Sequence, residues 1–333
     1  MIAYSILDLV RVTQDTDARG AIDNARTLAA SAETWGYTRF WVAEHHNTVG
    51  IASAATSLVL GHIAAGTRHI RVGAGGIMLP NHAPLIIAEQ FGTLAQLHPG
   101  RIDLGVGRAS GTDPLTVRAL RRSTSGVDSF PQDILEIQTY FSDAAASQAI
   151  QAVPAAGTNV PIWILGSSHY GAQLAAELGL PYAFASHFSP DMLLSALKLY
   201  RGGFQPSPQL ARPRVMIGVN IIAADTTLEA HRIATTQQMS FTDVFRGHYG
   251  LSKPPIHDID TYWSSQERAW VSQTLKCSII GDADDVSAGV QALLSKTGAD
   301  ELMIVSDVYH HHQRLQSFEI VAAVMRELNM SAH

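Results

Sequence analysis

The residues most able to do chemistry stand directly after short apolar segments with strand character. His45 follows such a segment at 40–43, where an imidazole can act as a general acid or base near neutral pH. The pair Gly75-Gly76 ends another, and two glycines would let a flat ligand approach the backbone closely. On position alone, a structural histidine is an equally good interpretation of His45. For the glycine pair, the alternative interpretation is a plain strand-to-loop bend.

A third group has the pattern of a phosphate-binding turn. Gly166, Ser167 and Ser168 follow an apolar segment and open a segment of helical period, so free N–H groups and the positive helix end would face an anion. Arg108, at the end of the neighbouring segment, could add a forked charged contact to the same phosphate. Taken alone, this turn is more often an ordinary helix N-cap.

Metal and thiol chemistry have little support in the sequence. Cys277 is the only cysteine, which excludes an internal disulfide and a multi-cysteine zinc or iron–sulfur site. His310, His311 and His312 are consecutive, and consecutive residues do not converge readily on one ion, so we interpret them as solvated. No metal site is predicted.

Strand-like and helical segments alternate along the chain, which favours a parallel sheet. Eight such segments can close into a (β/α)8 barrel, and no glycine-rich dinucleotide turn follows the first of them, which leaves an open doubly wound sheet as the minority interpretation. The predicted strands are 3–7, 40–43, 70–75, 102–107, 162–165, 182–185, 215–222 and 302–306.

Two connections, 108–160 and 223–300, are longer than one βα unit needs. They predict an α/β TIM barrel with insertions after strands 4 and 7, forming a single domain over residues 1–333. The functional groups would lie at the C-terminal ends of the strands.

Composition limits the partners of this barrel. Apolar residues make up 46% and charged residues 16% of the 333 residues, as in globular proteins with a large core. The net charge is -6 without any Lys/Arg run, so neither nucleic acid nor an anionic membrane is an expected partner. No apolar stretch is long enough to span a bilayer and no signal peptide is evident, so we expect a cytoplasmic protein.

Several strings in the chain resemble the luciferase-like monooxygenases. They are WVAEHHN at 41–47, VGAGGIMLPNHAP at 72–84, EQF at 89–91, PGRIDLGVGR at 99–108, the segment at 165–187 that contains AAELGLPYAFA, and GADELM at 298–303. The resemblance keeps the same order along most of the chain, with 109–160 and 223–276 weakly covered. Within the family it is similar to an alkanal-monooxygenase-like bacterial group.

The resemblance implies a barrel that binds FMN, with the phosphate at the turn after strand five. Carried over by position, Arg108 and Ser168 bind the phosphate, and Ser167 and Gly171, beside Gly166, offer mainly backbone contacts. Gly171 departs from luciferases, which have a hydroxyl residue there, so the phosphate affinity is reduced or supplied by Tyr170 instead.

The family also implies a non-proline cis peptide under the flavin ring, which we predict at Gly75-Gly76. His45 matches the histidine that assists oxygen chemistry, and its role would be proton management. FMN would arrive as FMNH2 from a separate flavin reductase and react with O2 to oxidise an apolar small molecule such as an aldehyde. Gly107 replaces the reactive cysteine of luciferase, so we do not expect light emission.

Residues 109–128 are the predicted lid that excludes water, and we expect a homodimer. Three alternatives stay open: an F420-dependent oxidoreductase on the same barrel, a non-catalytic flavin-binding protein, and a metal-dependent hydrolase. Retention of His45 argues against the non-catalytic protein. The hydrolase would need a His-x-His pair after strand one, where the chain has ILDL at 6–9.

Overall fold

A computed structural model describes residues 1–109, 113–120 and 129–331. Nine strands lie in these residues: β1 (Ala3–Asp8), β2 (Arg39–Val42), β3 (Arg71–Met78), β4 (Ile102–Gly107), β5 (Ile162–Gly166), β6 (Tyr182–Phe184), β7 (Val215–Ala223), β8 (Ile279–Gly281) and β9 (Glu301–Val305).

Eight of the strands close into a parallel barrel. The order is β1-β2-β3-β4-β5-β6-β7-β9, and β9 pairs again with β1. This confirms the predicted (β/α)8 barrel, and each predicted strand agrees with the observed bounds to within three residues.

The short strand β8 was missed by the sequence prediction. It pairs only with the last three residues of β7, outside the barrel, and its three residues give too short an apolar run to stand out within a long connection.

Helices surround the barrel in the described part of the chain. They are α1 (Ala18–Trp35), α2 (Thr56–Ala65), α3 (Pro84–Leu97), α4 (Pro114–Ala119), α5 (Phe130–Phe141), α6 (His169–Glu177), α7 (Leu193–Gly203), α8 (Thr227–Phe245), α9 (Ser265–Thr274), α10 (Ala283–Thr297) and α11 (His311–Ser331). The connection after β4 carries α4 and α5, and the one after β7 carries α8, α9, β8 and α10. Both predicted insertions are therefore present.

Local sequence signals set the ends of α10. Asp282 accepts hydrogen bonds from the N–H groups of Asp284 and Asp285, and Asp285 completes a capping box. Gly298 ends the helix in the left-handed conformation at φ 56°, which glycine adopts without steric cost. The helix is thus specified by residues at both of its ends.

Apolar side chains fill the barrel interior. Trp41 and Trp163 meet edge to face with their ring centroids 5.5 Å apart. They belong to an interior cluster that is separate from the core between barrel and helices; its members are Leu7, Trp41, Ala43, Trp163, Ala183, Met216, Met303 and Val305. The barrel is a packed core rather than a pore.

A buried ion-pair network lies at the N-terminal end of the barrel. Arg39, the first residue of β2, is 4% exposed and contacts both Asp103 and Glu301 at 2.6 Å. Burial alone would lower the pKa of Arg39, but the two carboxylates raise it above its ordinary value. Arg71 and Arg214 pair with the same carboxylates from the rim. We name this cluster (Arg39, Arg71, Asp103, Arg214, Glu301) the lower network.

None of the helices in the described ranges is both long enough and apolar enough to cross a membrane.

Candidate active site

The candidate residues from the sequence gather at the C-terminal end of the barrel. Gly75 and Gly76 lie within β3, and the other candidates end or follow β2, β4 and β5; these strands are parallel, so their side chains and backbone surround one mouth.

The Gly75-Gly76 peptide bond is cis, which confirms the prediction. Pairing between β3 and β4 shifts here, since Gly75 is opposite Gly105 while Ile77 is opposite Val106, so Gly76 is bulged out of the ladder. Its carbonyl accepts a hydrogen bond from the N–H of Glu44 at 3.3 Å instead. A Cβ on Gly76 would lie 2.7 Å from the carbonyl oxygen of Gly105, so the position requires glycine.

Glu44 is the centre of a hydrogen-bonded cluster beside this link. Its carboxylate is fully buried, and Oε1 lies 2.7 Å from Nε2 of His46 and 2.9 Å from Nε2 of His82. The N–H of Met78 donates to Oε2 at 3.0 Å. Because an ionised carboxylate only accepts hydrogen bonds, both Nε2 atoms carry their protons toward Glu44.

Electrostatics keep Glu44 ionised. Burial by itself would raise the pKa of this carboxyl, but hydrogen bonds from His82 and His46 and from the N–H of Met78 leave the pKa below its ordinary value. The ligating atoms of Glu44, His46 and His82 lie within 4.8 Å of one another, as in a metal site, yet their separations are those of hydrogen bonds. We therefore interpret the group as an acceptor that fixes two imidazoles.

Arg108 lies over the N-terminal turn of α6. Its guanidinium carbon is 4.3 Å from the ring centroid of Tyr170, the second residue of that helix. The structure thus brings Arg108 to the first turn of α6, which directly follows Gly166, Ser167 and Ser168.

Ser168 occupies the N-cap position of α6, but its side chain makes no capping hydrogen bond. The ordinary N-cap interpretation therefore does not describe what its hydroxyl does. Ser168 is exposed, Ser167 and Tyr170 are half-buried and Gly171 is buried. The N–H groups of the first turn have no partner within the helix, so this end remains suited to an anion.

His45 lies half-buried at the end of β2, and His187 lies after β6. Burial lowers the pKa of His187 to about 4, and the charge of His45 adds to this lowering, so the two imidazoles share one part of the mouth. His187 carries no role in the sequence-based interpretation.

The predicted lid at 109–128 is only partly visible, because 110–112 and 121–128 lie outside the described residues. Its described part contains α4, whose N-cap Asp113 accepts a hydrogen bond from Asn47 at 3.1 Å. Asn47 follows His46 directly and is left-handed at φ 52°. The insertion after β4 therefore reaches the loop that carries the mouth histidines.

One further prediction needs correction. His310 and His312 are exposed, as predicted, but His311 is half-buried at the start of α11, and its buried Nε2 has no hydrogen-bond partner within the described ranges. Burial lowers the pKa of His311 to about 4, and the nearby Arg314 lowers it further. Three consecutive histidines look alike in the sequence. Which of them is buried depends on where α11 begins and on what packs against it, so the sequence did not indicate it.

The comparisons with known proteins agree with this geometry. The family model for luciferase-like monooxygenases matches residues 2–301. A luciferase-like monooxygenase of Escherichia coli K12 is 49% identical over 328 residues, which cover 98% of each chain. The chain belongs to the luciferase-like monooxygenase family.

More specific names come from two other proteins. The N-acetyl-S-alkylcysteine monooxygenase of Bacillus subtilis is 36% identical over 238 residues, covering 70% of this chain and 71% of its own. The crystal structure of apo-MsnO8 is 30% identical with a TM-score of 0.87 and covers 98% of this chain and 99% of its own.

Two distant structures share the fold. The oxygenating constituent of 3,6-diketocamphane monooxygenase from Pseudomonas putida, in complex with FMN, is 16% identical with a TM-score of 0.72 and 96% coverage of both chains. An F420-dependent secondary alcohol dehydrogenase is 13% identical with a TM-score of 0.70, covering 97% and 98%. The fold therefore serves both FMN and F420.

Proposed function

We propose that this chain is an FMN-dependent monooxygenase. It takes FMNH2 from a separate flavin reductase and uses O2 to oxidise an apolar small molecule such as an aldehyde, with the carboxylic acid, FMN and water as products. Bound reduced FMN supplies the two electrons and the activation of O2.

The observation that carries this proposal is the anion site at the start of α6. Arg108 places a guanidinium over Tyr170 while the hydroxyl of Ser168 makes no capping bond. A cation, a hydroxyl and free helix N–H groups together fit a phosphomonoester. Gly166, Ser167 and Gly171 add backbone contacts in this proposal.

The isoalloxazine would lie against the Gly75-Gly76 link. Two residues without side chains leave a flat backbone surface, and the bulge at Gly76 turns this surface out of the regular ladder. Glu44 fastens the same segment through the N–H of Met78 and the carbonyl of Gly76. The glycine link is thus held from one side by both the buried carboxylate and the backbone N–H of Glu44.

His45 would move the proton in the reaction. Its neighbour Glu44 accepts hydrogen bonds from the Nε2–H groups of His46 and His82, and His45 itself lies close enough to His187 to lower the pKa of that imidazole. The segment at 109–128 would exclude water above it.

The test is to mix photoreduced FMN, oxygen and an aldehyde panel with the protein and to identify products by mass spectrometry. We expect the carboxylic acid with one oxygen atom from O2, at a rate that falls in His45→Ala and not in His62→Asn, a half-buried histidine on the outer helix α2. If the protein does not accelerate the consumption of FMNH2 and O2, the monooxygenase proposal is contradicted and the chain is a non-catalytic flavin-binding protein.

The cofactor is tested separately. We expect the flavin that copurifies to have the mass and absorption of FMN, and the protein to bind FMN more tightly than riboflavin. Tight binding of F420 with hydride transfer to a carbonyl would establish the F420-dependent alternative instead.

A second candidate substrate is a thioether, which would yield the sulfoxide, FMN and water. The 36% identity to the N-acetyl-S-alkylcysteine monooxygenase favours it. Including N-acetyl-S-alkylcysteines in the same panel decides between the two substrate classes by product mass. The proposed homodimer is tested by the molar mass of the protein in solution.

A further inference from the structure

His187 follows β6, the strand that pairs with β5, at the same end of the barrel as the segments that we assign to FMN, and a network of side chains fixes it there. Asn220, which is 1% exposed on β7, donates to the carbonyl oxygen of His187 at 2.5 Å. The hydroxyl of the preceding Ser186 donates to the carbonyl of Gly218 at 2.6 Å. The side-chain N–H of Gln237 donates a hydrogen bond to the amide oxygen of Asn220 at 3.0 Å. This turn is therefore rigidly joined to β7.

Gly218 makes room for the imidazole of His187. A Cβ on Gly218 would lie 2.2 Å from Nδ1 of His187, and all three of its nearest atoms would belong to that ring. Glycine within a strand weakens the strand, and it commonly marks a place where another group approaches the backbone closely. Here that group is the ring of His187, which reaches over β7 at the top of the interior layer formed by Met216 and Met303.

The two ring nitrogens of His187 have different surroundings. Nδ1 is buried and has no hydrogen-bond partner among the described residues, whereas Nε2 is not one of the buried atoms that lack a partner. With a pKa of about 4, the ring is neutral at neutral pH and carries one proton. Because the buried Nδ1 has no acceptor within hydrogen-bond distance among the described residues, the proton belongs on Nε2.

We propose that His187 is a substrate-binding residue whose Nε2–H donates a hydrogen bond to the carbonyl oxygen of the substrate in the barrel mouth. The inference rests on the proposed function, in that the substrate is taken to be an aldehyde. It assigns distinct tasks to two neighbouring imidazoles, since His45 moves a proton while His187 keeps its own.

Nuclear magnetic resonance of the full chain with 15N-labelled histidines tests this assignment without any turnover. His187→Phe identifies the resonances. We expect His187 to show a protonated Nε2 and a bare Nδ1 from pH 5.5 to 8, and octanal to shift the Nε2 signal while octane does not. Titration of His187 near pH 6.5, a proton on Nδ1, or no response to octanal would each overturn the proposal.

Binding measurements give a second readout. His187→Phe keeps a ring without a donor and is expected to weaken octanal binding about tenfold, the effect of one hydrogen bond. His187→Gln restores an N–H donor and should bind octanal within about threefold of the wild type. His62→Asn, on the outer helix α2, serves as the matched control and should leave binding unchanged. Equal octanal affinity in His187→Phe and the wild type contradicts the proposal.

The outcome is distinguishable from failure of the proposed function. If the protein converts octanal to octanoic acid while the Nε2 signal of His187 does not shift, the proposed function is supported and the role of His187 is contradicted. If the protein binds octanal at His187 but neither binds FMN nor transfers oxygen, the carbonyl site is supported and the monooxygenase function is contradicted.

Discussion

The two ends of the barrel treat buried polar groups in opposite ways. At the N-terminal end, the lower network surrounds Arg39 with two carboxylates, and further arginines and Ser5 complete their hydrogen bonding. At the C-terminal end, several side chains in the described residues keep a buried polar atom without a hydrogen-bond partner; among them are Asp8, Arg11, His187, Asp307 and His311, although Arg11 forms an ion pair with Asp307 at 3.3 Å and Arg314 forms one with Asp8 at 2.8 Å.

This difference assigns the N-terminal end of the barrel to stability and the C-terminal end to function. A satisfied buried network rigidifies the strand ends that it joins, whereas buried groups without partners carry a cost that needs a ligand or water to offset it. The side chains whose hydrogen bonding is incomplete lie at the end of β1 or after β1, β6 and β9, while the anion site follows β4 and β5. The mouth therefore divides into a cofactor half and a polar half next to it.

Removing the central cation of the lower network tests most directly whether this end of the barrel stabilises the fold. Arg39→Met leaves two buried carboxylates facing each other across a lost cation, so we expect the free energy of unfolding to fall by about 3 to 5 kcal/mol. Urea denaturation measures it. Arg268→Met, which loses only an exposed pair with Asp260, is the control and should cost less than about 1 kcal/mol. Similar losses in both variants would refute the special role of the buried end.

The sequence could predict the mouth better than the lower network. The eight strands and the strings at their C-terminal ends were readable because period and motif are local features, and the strings named Gly75, Arg108 and Ser168 directly. The partners Arg39, Asp103 and Glu301 lie up to 262 residues apart and meet only when the barrel closes. No local pattern marks such a contact.

The same limit applies to two residues at the mouth. Glu44 stood inside a recognised string, but its hold on His82 crosses from β2 to the segment after β3. His187 was visible as a histidine after a strand, whereas the space that Gly218 provides depends on the pairing of β6 with β7. Residue type was predictable from sequence, and the partner of each residue was not.

Arg108 tests whether the cofactor half binds a phosphate. A charge-assisted hydrogen bond contributes about 1.5 to 3 kcal/mol, so Arg108→Ala should weaken FMN binding by about ten- to a hundredfold. Riboflavin lacks the phosphate, and its affinity should change little. Flavin fluorescence quenching measures both ligands. Equal loss of FMN and riboflavin affinity would show that Arg108 supports the fold of this turn and not the phosphate.

Acid should weaken the polar half of the mouth. The pKa values of His187 and His311 are lowered to about 4, against about 6.5 in an unfolded chain. Between these values the unfolded chain binds more protons, so stability is fully present above pH 6.5 and is lost as the pH falls toward 4. His311→Asn should reduce the slope of unfolding free energy against pH in this window, by at most about 1.4 kcal/mol per pH unit. An unchanged slope would contradict a neutral buried His311.

The smallest effect concerns Gly171, where luciferases carry a hydroxyl. A Cβ there would meet only ordinary contacts, 3.5 Å from Tyr182 and 3.6 Å from Gly166, so Gly171→Ser fits without displacing its neighbours. The added hydroxyl lies in the first turn of α6 and supplies one more donor to a phosphate, which should tighten FMN binding by about two- to tenfold and leave riboflavin unchanged. Gly171→Ala adds the same Cβ without the hydroxyl and should give no gain. If serine and alanine change FMN affinity alike, the effect comes from packing in the helix, and the anion would have to lie elsewhere than at the N-terminus of α6.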